Sequence, residues 1–488
     1  MIIAKSFNTK ILFYILGLTI SFIGFCFIPS IVTAYIFQEP TLIVFTFSLI
    51  FALVIGGSIM YANRKYPQSL TKKEGRAVVG LIWSIAPITA SVPFLLLPQY
   101  FTSPINALFE SFSGFTTTGS SILNNIESVP KSVLIWRALT QWIGGLGITL
   151  FIIMFMKNFR NGSNYLFNAE FTSIDKEKIH PHIKQTVSRI FLIYFSYTIL
   201  AFILLFFGDM DTFTAICHSL STISTGGFTT VNGNIGQFSS YTQYVIMGLM
   251  FLSGISYVLV YWLFKGKAEK LFKDEQTKIY TLIILFGTII LFISLFFFHD
   301  HNFVISLKSS LFHIVSVVST TGYYMPEAED FGLFAVVFII ILMFIGGSSS
   351  SSCTGLKIIR VIILYKYLQQ SFKQMFHPRA VLPIRYNKVA LVEEATGLVF
   401  GFFFLYLMIF ILGAFTLTLL GNDFLPSIAL SVSNLSNVGP VVGYISPETT
   451  YDTLNDGSKI TLMILMIIGR LEIFSFLAMF SKSIWTKD

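Results

Sequence analysis

Long apolar runs separated by short polar connections fill most of this chain. A helix that crosses a bilayer needs roughly 20 apolar residues, and two such runs stand first, at about 11–36 and 41–62. After a basic connection at 63–76, one unit recurs four times: a spanning helix, an apolar segment too short to cross, and a second spanning helix. The pattern predicts an all-α polytopic membrane protein, with two N-terminal helices and four pseudo-symmetric helix–pore-loop–helix repeats around one central pore.

The four repeats follow an N-terminal region at 1–76. Each repeat has an incoming helix, a short re-entrant segment that enters the membrane and returns, and an outgoing helix. The predicted domains are 77–185, 186–278, 279–389 and 390–488. The predicted segments, in that order within each repeat, are 77–97, 104–120 and 133–157; 186–208, 212–228 and 241–265; 279–298, 304–323 and 331–365; and 390–420, 425–440 and 458–483.

Each re-entrant segment ends in the same spaced set of polar residues. A serine stands six positions before a glycine, a second hydroxyl stands three before it, and Thr or Asn stands two before it. Non-helical backbone at membrane depth is tolerated where it is buried in protein or lines a cavity, so these bends predict four walls of one pore. The glycines are Gly119, Gly227, Gly322 and Gly439. The hydroxyls predicted to hold each bend against its helix are Thr116, Ser224, Ser319 and Ser436.

The chemistry of the bends favours a monovalent cation. Backbone carbonyls can replace the hydration shell of an ion, and glycine reaches the backbone angles that aim successive carbonyls at one axis. The bends carry no ring of Asp or Glu, and Mg²⁺ gives up its water reluctantly. The predicted filter residues are Thr117, Thr118, Gly119, Thr225, Gly226, Gly227, Thr320, Thr321, Gly322, Asn437, Val438 and Gly439. The ion is predicted at Thr117, Thr118, Thr225, Gly226, Thr320, Thr321, Asn437 and Val438.

A run of small and polar residues at 346–355, here called the serine loop, interrupts the outgoing helix of the third repeat. Such backbone at membrane depth must be satisfied by protein or by water, so the run is predicted to break the helix. Glycines in the outgoing helices of the first two repeats, at 144–147 and 254, are instead predicted to serve close helix packing.

Arg470 lies in the last outgoing helix, where a charge at the bilayer centre costs about 2.5–3.5 kcal/mol. We predict that it projects toward the pore below the bends, beside the serine loop, and raises the barrier to a cation. The alternative is that its side chain snorkels to the cytoplasmic interface. The predicted gate residues are Gly346, Gly347, Ser348, Ser349, Ser350, Gly355 and Arg470.

Two histidines, His218 and His313, occupy equivalent positions in their re-entrant segments, nine residues before the glycine. Glu110 stands at that position in the first repeat and Leu430 in the fourth. We predict packing or hydrogen bonding behind the bends rather than proton transfer. Two further basic residues are predicted at the membrane interface: Arg137 and Lys308.

Composition and charge agree with a membrane protein. The 488 residues are 54% hydrophobic and 11% charged, where a soluble domain has about 25% charged residues. The net charge of +8 could suggest nucleic-acid binding, but basic residues cluster on alternate connections, which is the positive-inside pattern. Ten predicted crossings then place both termini in the cytoplasm, and no nucleic-acid partner, disulfide or cofactor is predicted. The basic clusters are 64–76, 157–189, 265–278 and 357–388.

These motifs resemble those of the Trk/Ktr/HKT superfamily of potassium transporters, and within it the TrkH-like branch, because two helices precede the repeats. The resemblance covers essentially the whole chain. Its carriers are FTTTGS at 115–120, STGGF at 224–228, STTGY at 319–323, NVGP at 437–440, QWIGG at 141–145, GRLE at 469–472 and the serine loop.

The resemblance implies K⁺ as the ion, a filter with one glycine per repeat, a homodimer in the bacterial inner membrane, and a cytosolic TrkA-like nucleotide-binding regulatory subunit. The chain departs from the family in two places. The loop in the third repeat is a serine run, where a mixture of Gly, Ala, Ser and Thr is expected, and Ser120 rather than glycine follows Gly119.

The sequence therefore predicts uptake of K⁺ (and Rb⁺) by channel-like permeation, gated below the filter by the serine loop and Arg470. The alternative within the same class is symport of K⁺ with H⁺ or Na⁺. A transporter for an organic solute would usually place its site between inverted halves, whereas these repeats share one orientation. An intramembrane enzyme would need a convergent His, Ser or acidic set, and the sequence offers none at membrane depth.

Overall fold

A computed structural model describes residues 9–65, 71–148, 150, 183–298, 302–326, 331–380, 382–391, 393–440 and 450–480. Within these ranges six helices are long and apolar enough to cross a bilayer. They are Thr9–Ile36, Thr41–Ala62, Glu74–Leu95, Gln185–Phe206, Glu275–Phe298 and Ala395–Leu419. The first two are the N-terminal helices and the other four are the incoming helices, so the all-α polytopic prediction is confirmed.

The N-terminal pair is held together by small residues. Thr9–Cys26 continues after a one-residue break into Ile28–Ile36, and Thr41–Ala62 runs back alongside it. A Cβ atom built on Gly56 would lie 2.6 Å from the carbonyl oxygen of Gly17, so the two backbones touch. Small residues at such crossings let membrane helices approach closely, and the pair flanks the first repeat.

In each repeat a short connection joins the incoming helix to the re-entrant helix. They are Lys72–Ala90 with its continuation Val92–Leu95, Ile183–Phe206, Glu275–Phe298 and Glu393–Leu419. The first begins with a capping box, in which Thr71 Oγ1 accepts from the Glu74 amide at 3.2 Å and Glu74 Oε2 accepts from the Thr71 amide at 2.7 Å. This reciprocal pair satisfies two amides that the first turn would leave unbonded.

The re-entrant helices are too short to cross a bilayer. They are Pro104–Phe115, Thr212–Ile223, Phe303–Val318 and Phe424–Leu435. Three of them have 12 residues and that of the third repeat has 16, which rise about 18 and 24 Å in an α-helix, against roughly 30 Å of hydrocarbon. Side chains of Ser103, Asp211 and Asn302 cap the first three N-termini, which fixes where each helix starts.

All four outgoing helices are interrupted. Packing rather than a break was predicted at the glycines of the first two, so the uninterrupted spans at 133–157 and 241–265 are wrong. In the second repeat the two halves are bent by 99°; in the third, the serine loop lies in the break. Residues 151–157 lie outside the described residues. The described outgoing helices are Lys131–Leu146; Ser240–Ser253 and Tyr257–Phe264; Leu333–Met343 and Ile358–Phe376; and Asp456–Arg470 and Phe474–Phe480.

Close packing at glycine accompanies these interruptions. A Cβ atom on Gly144 would lie 1.9 Å from the carbonyl oxygen of Phe115, and one on Gly469 would lie 2.0 Å from that of Leu435. One on Gly254 would meet the Tyr280 hydroxyl at 2.2 Å. The packing role predicted for Gly144 and Gly254 is therefore present, and Gly469 shares it. This packing brings the outgoing helices against the re-entrant helix ends in the first and fourth repeats.

A small hairpin lies between the third and fourth repeats. Arg385–Tyr386 pairs antiparallel with Val389–Ala390, and the two turn residues, Asn387 and Lys388, have φ of +45° and +68°. Asn387 Oδ1 accepts from the Glu275 amide at 3.0 Å, so the hairpin rests on the start of the third incoming helix.

Candidate functional site

The four re-entrant helices end in the same backbone turn. In each, the residue two before the glycine has a left-handed backbone, with φ of +55° at Thr117 and Thr225, +54° at Thr320 and +53° at Asn437. The next amide donates to the carbonyl of the serine six before the glycine, at 2.8–2.9 Å in all four repeats. This pair of features is the Schellman motif, which normally has glycine at the left-handed position.

Threonine at that position is unusual. A β-branched residue with positive φ is an outlier, and such conformations cost about 1–3 kcal/mol each. Local hydrogen bonds hold the turn: Thr116 Oγ1 donates to the Phe112 carbonyl at 2.7 Å, and Ser224 Oγ donates to the Ser221 carbonyl at 3.0 Å. Ser319 Oγ donates to the Ser316 carbonyl at 3.2 Å. These are the hydroxyls that the sequence assigns to holding the bend; in the fourth repeat Ser436 Oγ bonds the Tyr406 hydroxyl instead, at 2.7 Å.

The four bends form a closed ring. A Cβ atom built on each filter glycine would strike a carbonyl oxygen of the next repeat, well inside any real Cβ contact. The distances are 2.3 Å from Gly119 to Gly226, 2.1 Å from Gly227 to Thr321, 1.9 Å from Gly322 to Val438, and 2.0 Å from Gly439 to Thr118. Each repeat therefore meets the next in the order one, two, three, four and back to one. All twelve predicted filter residues are buried in this ring.

Two amide side chains, one on an outgoing helix and one in the fourth bend, brace the ring. Gln141, on the first outgoing helix, donates from Nε2 to the Gly226 carbonyl at 2.6 Å and accepts at Oε1 from the Phe228 amide at 3.1 Å. Asn437 Nδ2 donates to Thr118 Oγ1 at 2.9 Å and to the Met466 carbonyl at 3.0 Å. Gln141 thus joins the first repeat to the second, and Asn437 joins the fourth to the first. Gln141 stands in the QWIGG motif, but no role at the bends was predicted for it, although its polarity within an apolar helix was a signal.

In the first three repeats a second layer of polar residues supports the segment that follows the bend. His218 Nδ1 donates to the Thr214 carbonyl at 3.0 Å, and its Nε2 accepts from the Thr229 hydroxyl at 3.1 Å. His313 Nδ1 donates to the Ser309 carbonyl at 2.8 Å, and its Nε2 accepts from the Met325 amide at 3.2 Å. The Met325 amide can only donate, so the His313 proton sits on Nδ1. Both nitrogens of each ring have partners, which suits a structural role behind the filter.

Glu110 plays the same part in the first repeat, and it brings a buried charge. Its carboxylate accepts from the Ile122 amide at 3.0 Å and pairs with Arg137 Nε at 2.7 Å. Arg137 is 1% exposed and lies 4.1 Å from the centre of the Phe228 ring. The predicted interfacial position of Arg137 is therefore wrong, because Glu110 supplies a buried counter-charge. Lys308 is half-buried and donates to Gln243 Oε1 at 2.8 Å.

Replacing Glu110 by leucine is expected to lower the free energy of unfolding by about 3–5 kcal/mol, because Arg137 would stay buried without its counter-charge. The measurement is thermal unfolding of the purified protein in detergent. The double variant Glu110→Leu/Arg137→Met should recover much of the loss. Glu269→Ala, which breaks an exposed pair with Lys273, is the control and should leave the midpoint unchanged. Equal midpoints for Glu110→Leu and the unmodified protein would contradict the prediction.

Below the ring, the serine loop is fastened to the break in the second outgoing helix. The Ser348 amide donates to the Gly254 carbonyl at 3.0 Å, and the Tyr257 amide donates to the Ser350 carbonyl at 3.0 Å. The Tyr257 hydroxyl also bonds Ser352 Oγ at 2.6 Å. The break at Gly254 thus frees the backbone groups that hold the loop of the next repeat.

The far side of the serine loop touches the filter bends directly. Cys353 Sγ donates to the Ser319 carbonyl at 2.9 Å, and the Thr354 amide donates to Thr320 Oγ1 at 3.3 Å. Thr354 Oγ1 donates to the Ser436 carbonyl. The loop therefore joins the bends of the third and fourth repeats from below.

Arg470 crosses the space beneath the ring. Its guanidinium donates to Thr117 Oγ1 at 3.2 Å and to the Ser352 carbonyl at 2.9 Å. It also donates to the carbonyls of Gly144 and Gly145, at 2.5 and 2.8 Å. The side chain thus contacts the first bend, the first outgoing helix and the serine loop together, rather than snorkelling away. A cavity of about 50 Å³ beside it is lined by the loop, Gly145 and Arg470.

The last outgoing helix turns sharply just after Arg470. Glu472 has φ of +50° and pairs with Lys357 Nζ at 2.7 Å and with Arg360. Lys357 and Arg360 stand where the third outgoing helix resumes after the loop. One buried carboxylate therefore ties the lower end of the serine loop to the fourth repeat, a role that its place in the sequence did not reveal.

The fold is that of a polytopic membrane protein in which four helix–bend–helix repeats surround one ring. The TrkH family model, described as a cation transport protein, matches residues 41–487. The chain is 32% identical over 473 residues to the Trk system potassium uptake protein TrkH of Escherichia coli, covering 96% of this chain and 97% of that protein. It is 28% identical over 486 residues to the TrkH of Halomonas elongata, covering 98% and 100%.

A solved structure agrees. The crystal structure of the potassium transporter TrkH from Vibrio parahaemolyticus matches with a TM-score of 0.90 and 27% identity, covering 98% of this chain and 100% of that chain. The chain therefore belongs to the TrkH family of cation transport proteins. Membership confirms the predicted resemblance, and it confirms a transporter rather than an enzyme.

Proposed function

We propose that this protein takes up K⁺, and Rb⁺, by channel-like permeation through the four-bend ring. The observation that carries the proposal is the cyclic contact of the four filter glycines, each with a carbonyl of the next repeat. Four equivalent backbone bends around one point supply the oxygen-rich, uncharged surroundings in which a weakly hydrated cation can shed water. The relatives named for potassium uptake supply the choice of ion.

In this proposal the ion is coordinated at the first two positions of each bend: Thr117, Thr118, Thr225, Gly226, Thr320, Thr321, Asn437 and Val438. The serine loop and Arg470 form the gate below. Membrane voltage drives uptake, since a monovalent cation gains about 2.3 kcal/mol per 100 mV, which supports roughly fifty-fold accumulation. The domain boundaries predicted from the sequence describe the four units of this pore.

We further propose a homodimer in the bacterial inner membrane, with both termini in the cytoplasm. A cytosolic TrkA-like nucleotide-binding subunit would regulate the gate by docking on the basic connections at 157–185, 265–278 and 366–389. These connections are the largest predicted cytoplasmic surfaces. The connection at 366–389 begins within the helix Ile358–Phe376, which directly follows the serine loop of the proposed gate.

Cation flux into liposomes that contain only this protein tests the proposal. K⁺ and Rb⁺ should enter faster than Na⁺ and Li⁺, because carbonyl oxygens favour weakly hydrated ions. The same four fluxes are measured with the Arg470→Ala variant, in which the proposed gate is weakened. If the unmodified protein shows no flux, this variant distinguishes a closed gate from the absence of a pore. Equal flux of all four ions, or none even in the variant, would contradict the proposal.

Symport of K⁺ with H⁺ or Na⁺ is the alternative. It is distinguished by the reversal potential, which follows the K⁺ gradient alone for a channel and shifts with an imposed pH or Na⁺ gradient for a symporter.

A further inference from the structure

A second cavity lies on the other side of the serine loop from the filter. Its volume is about 410 Å³, and Ser350 of the loop lines both this cavity and the smaller one beside Arg470. The walls come from five places: the second half of the second outgoing helix, the segment after it, the start of the third incoming helix, the turn of the hairpin, and the serine loop. Four of the lining side chains are lysines: Lys270, Lys273, Lys278 and Lys388.

Two carboxylates, Asp274 and Glu275, also line the cavity, but structural contacts occupy both. Asp274 Oδ2 accepts from the Thr277 amide at 2.8 Å and from its hydroxyl at 3.0 Å, while Oδ1 accepts from the Asn387 amide group at 2.9 Å. Glu275 pairs with Lys366. The lysines are committed elsewhere only in part: Lys273 pairs with exposed Glu269, and Lys270 lies over the Trp262 ring at 4.1 Å.

Lys278, on the third incoming helix, and Lys388, in the hairpin turn, both line this space. Cations gathered in a cleft raise the local concentration of anions, and Lys is a common point-charge ligand for phosphate. A volume of 410 Å³ is within the range of small-molecule sites, about 300–1,000 Å³. The arrangement fits an anion with one or more phosphate groups.

A buried hydrogen-bond chain connects the hairpin to the serine loop. The Tyr386 hydroxyl donates to Asp274 Oδ1 at 3.2 Å and accepts from Gln276 Nε2 at 2.7 Å. Gln276 Oε1 in turn accepts from the Ser349 amide at 2.9 Å and from its hydroxyl at 3.0 Å. Asp274, Gln276, Tyr386 and Ser349 are all buried. The Gln276 side chain therefore provides a direct physical connection between the hairpin and the serine loop.

We propose that this cavity binds a phosphate-bearing anion between Lys278 and Lys388, and that the bound anion alters the position of the serine loop through Tyr386 and Gln276. The anion is either a soluble phosphate compound or the headgroup of an anionic lipid, since the same lysine contacts serve both. The binding site stands on geometry alone. Its effect on transport rests on the proposed function of the loop as a gate.

The test uses the full-length protein in nanodiscs of phosphatidylcholine, with tripolyphosphate as the soluble probe and calorimetry as the binding readout. Tripolyphosphate should bind, and Lys278→Gln/Lys388→Gln should weaken binding about tenfold or more, because each hydrogen bond to a charged group contributes on that order. Lys265→Gln/Lys267→Gln, two basic residues outside the cavity lining, is the matched control and should bind as the unmodified protein does.

The lipid arm replaces part of the phosphatidylcholine with phosphatidylglycerol and measures the thermal midpoint. A rise that disappears in Lys278→Gln/Lys388→Gln, but not in the control pair, assigns the site to lipid headgroups. Binding of tripolyphosphate that the double variant does not weaken, together with a lipid effect that it does not change, would overturn the proposal.

Coupling is tested separately with Gln276→Leu, which should keep anion binding and lose the effect of the anion on cation flux. Binding that survives with no anion effect on flux in any form of the protein would refute the coupling and leave the binding site. Because binding is measured without ion flux, failure of the proposed transport function would leave the calorimetric result unchanged.

Discussion

The ratio of K⁺ to Na⁺ flux is expected to fall about tenfold when Gly322 is replaced by alanine. The added Cβ would lie 1.9 Å from the Val438 carbonyl oxygen, and Gly322 has φ of +79°, which L-residues rarely adopt. Backbone cannot swing aside as a side-chain end can, so the ring must open between the third and fourth bends. A left-handed alanine costs about 1–3 kcal/mol of strain, which displacement of the bend would relieve. A tenfold change in a ratio of rates corresponds to about 1.4 kcal/mol, so the two energies are of the same size.

Gly248→Ala is the matched control for this experiment. Gly248 lies in the second outgoing helix with no atom within 4 Å of the position its Cβ would take. Both variants add one methyl group, but only Gly322→Ala crowds the ring and places alanine at a positive φ. The measurement is competitive flux of K⁺ and Na⁺ in liposomes with equal amounts of inserted protein. An unchanged ratio in Gly322→Ala would show that the ring does not select the ion.

The N-terminal and incoming helices could be predicted closely because hydrophobicity over some twenty residues is a strong local signal. The predicted span 41–62 coincides with Thr41–Ala62, and 279–298 differs from Glu275–Phe298 only at its start. The breaks in the outgoing helices were not predictable in the same way. Gly254-Ile255-Ser256 reads as ordinary membrane helix, and the 99° bend is stabilised by a contact with Ser348, which lies in another repeat.

The positions of the filter bends were accessible because the same pattern occurs four times, which a single Thr-x-Gly would not have established. The cyclic order of the bends could not be predicted, because it depends on which repeats are neighbours in the folded protein. The partners of the buried charged residues were also not predictable from the sequence. Arg137 finds Glu110 27 positions earlier in the chain, and Lys459 finds Asn106 353 positions earlier, at 2.7 Å. Periodicity does not encode such long-range pairs, so an isolated basic residue reads as interfacial.

Cation flux through the protein alone is expected to rise at least tenfold in Arg470→Ala. The guanidinium holds the first bend, the first outgoing helix and the serine loop together through Thr117, Gly144 and Ser352. It also places a positive charge on the ion path proposed here. At an effective dielectric of about 20, a cation passing within about 5 Å meets roughly 3 kcal/mol of repulsion, which corresponds to about a hundred-fold in rate.

Arg470→Lys separates the two contributions. Lysine keeps the charge but cannot reproduce the planar set of hydrogen bonds to four acceptors on three elements. If the gate depends on charge repulsion, it stays closed in Arg470→Lys. If it depends on the hydrogen bonds that join the three elements, it opens. Arg64→Ala, at an exposed arginine beside Tyr61 on the N-terminal pair, is the control for loss of one arginine. Flux through Arg470→Ala that matches the unmodified protein, at equal insertion, would exclude Arg470 from the gate. A rise in Arg470→Ala but not in Arg470→Lys would identify its charge as the barrier, and the serine loop would then act mainly by holding that charge in place.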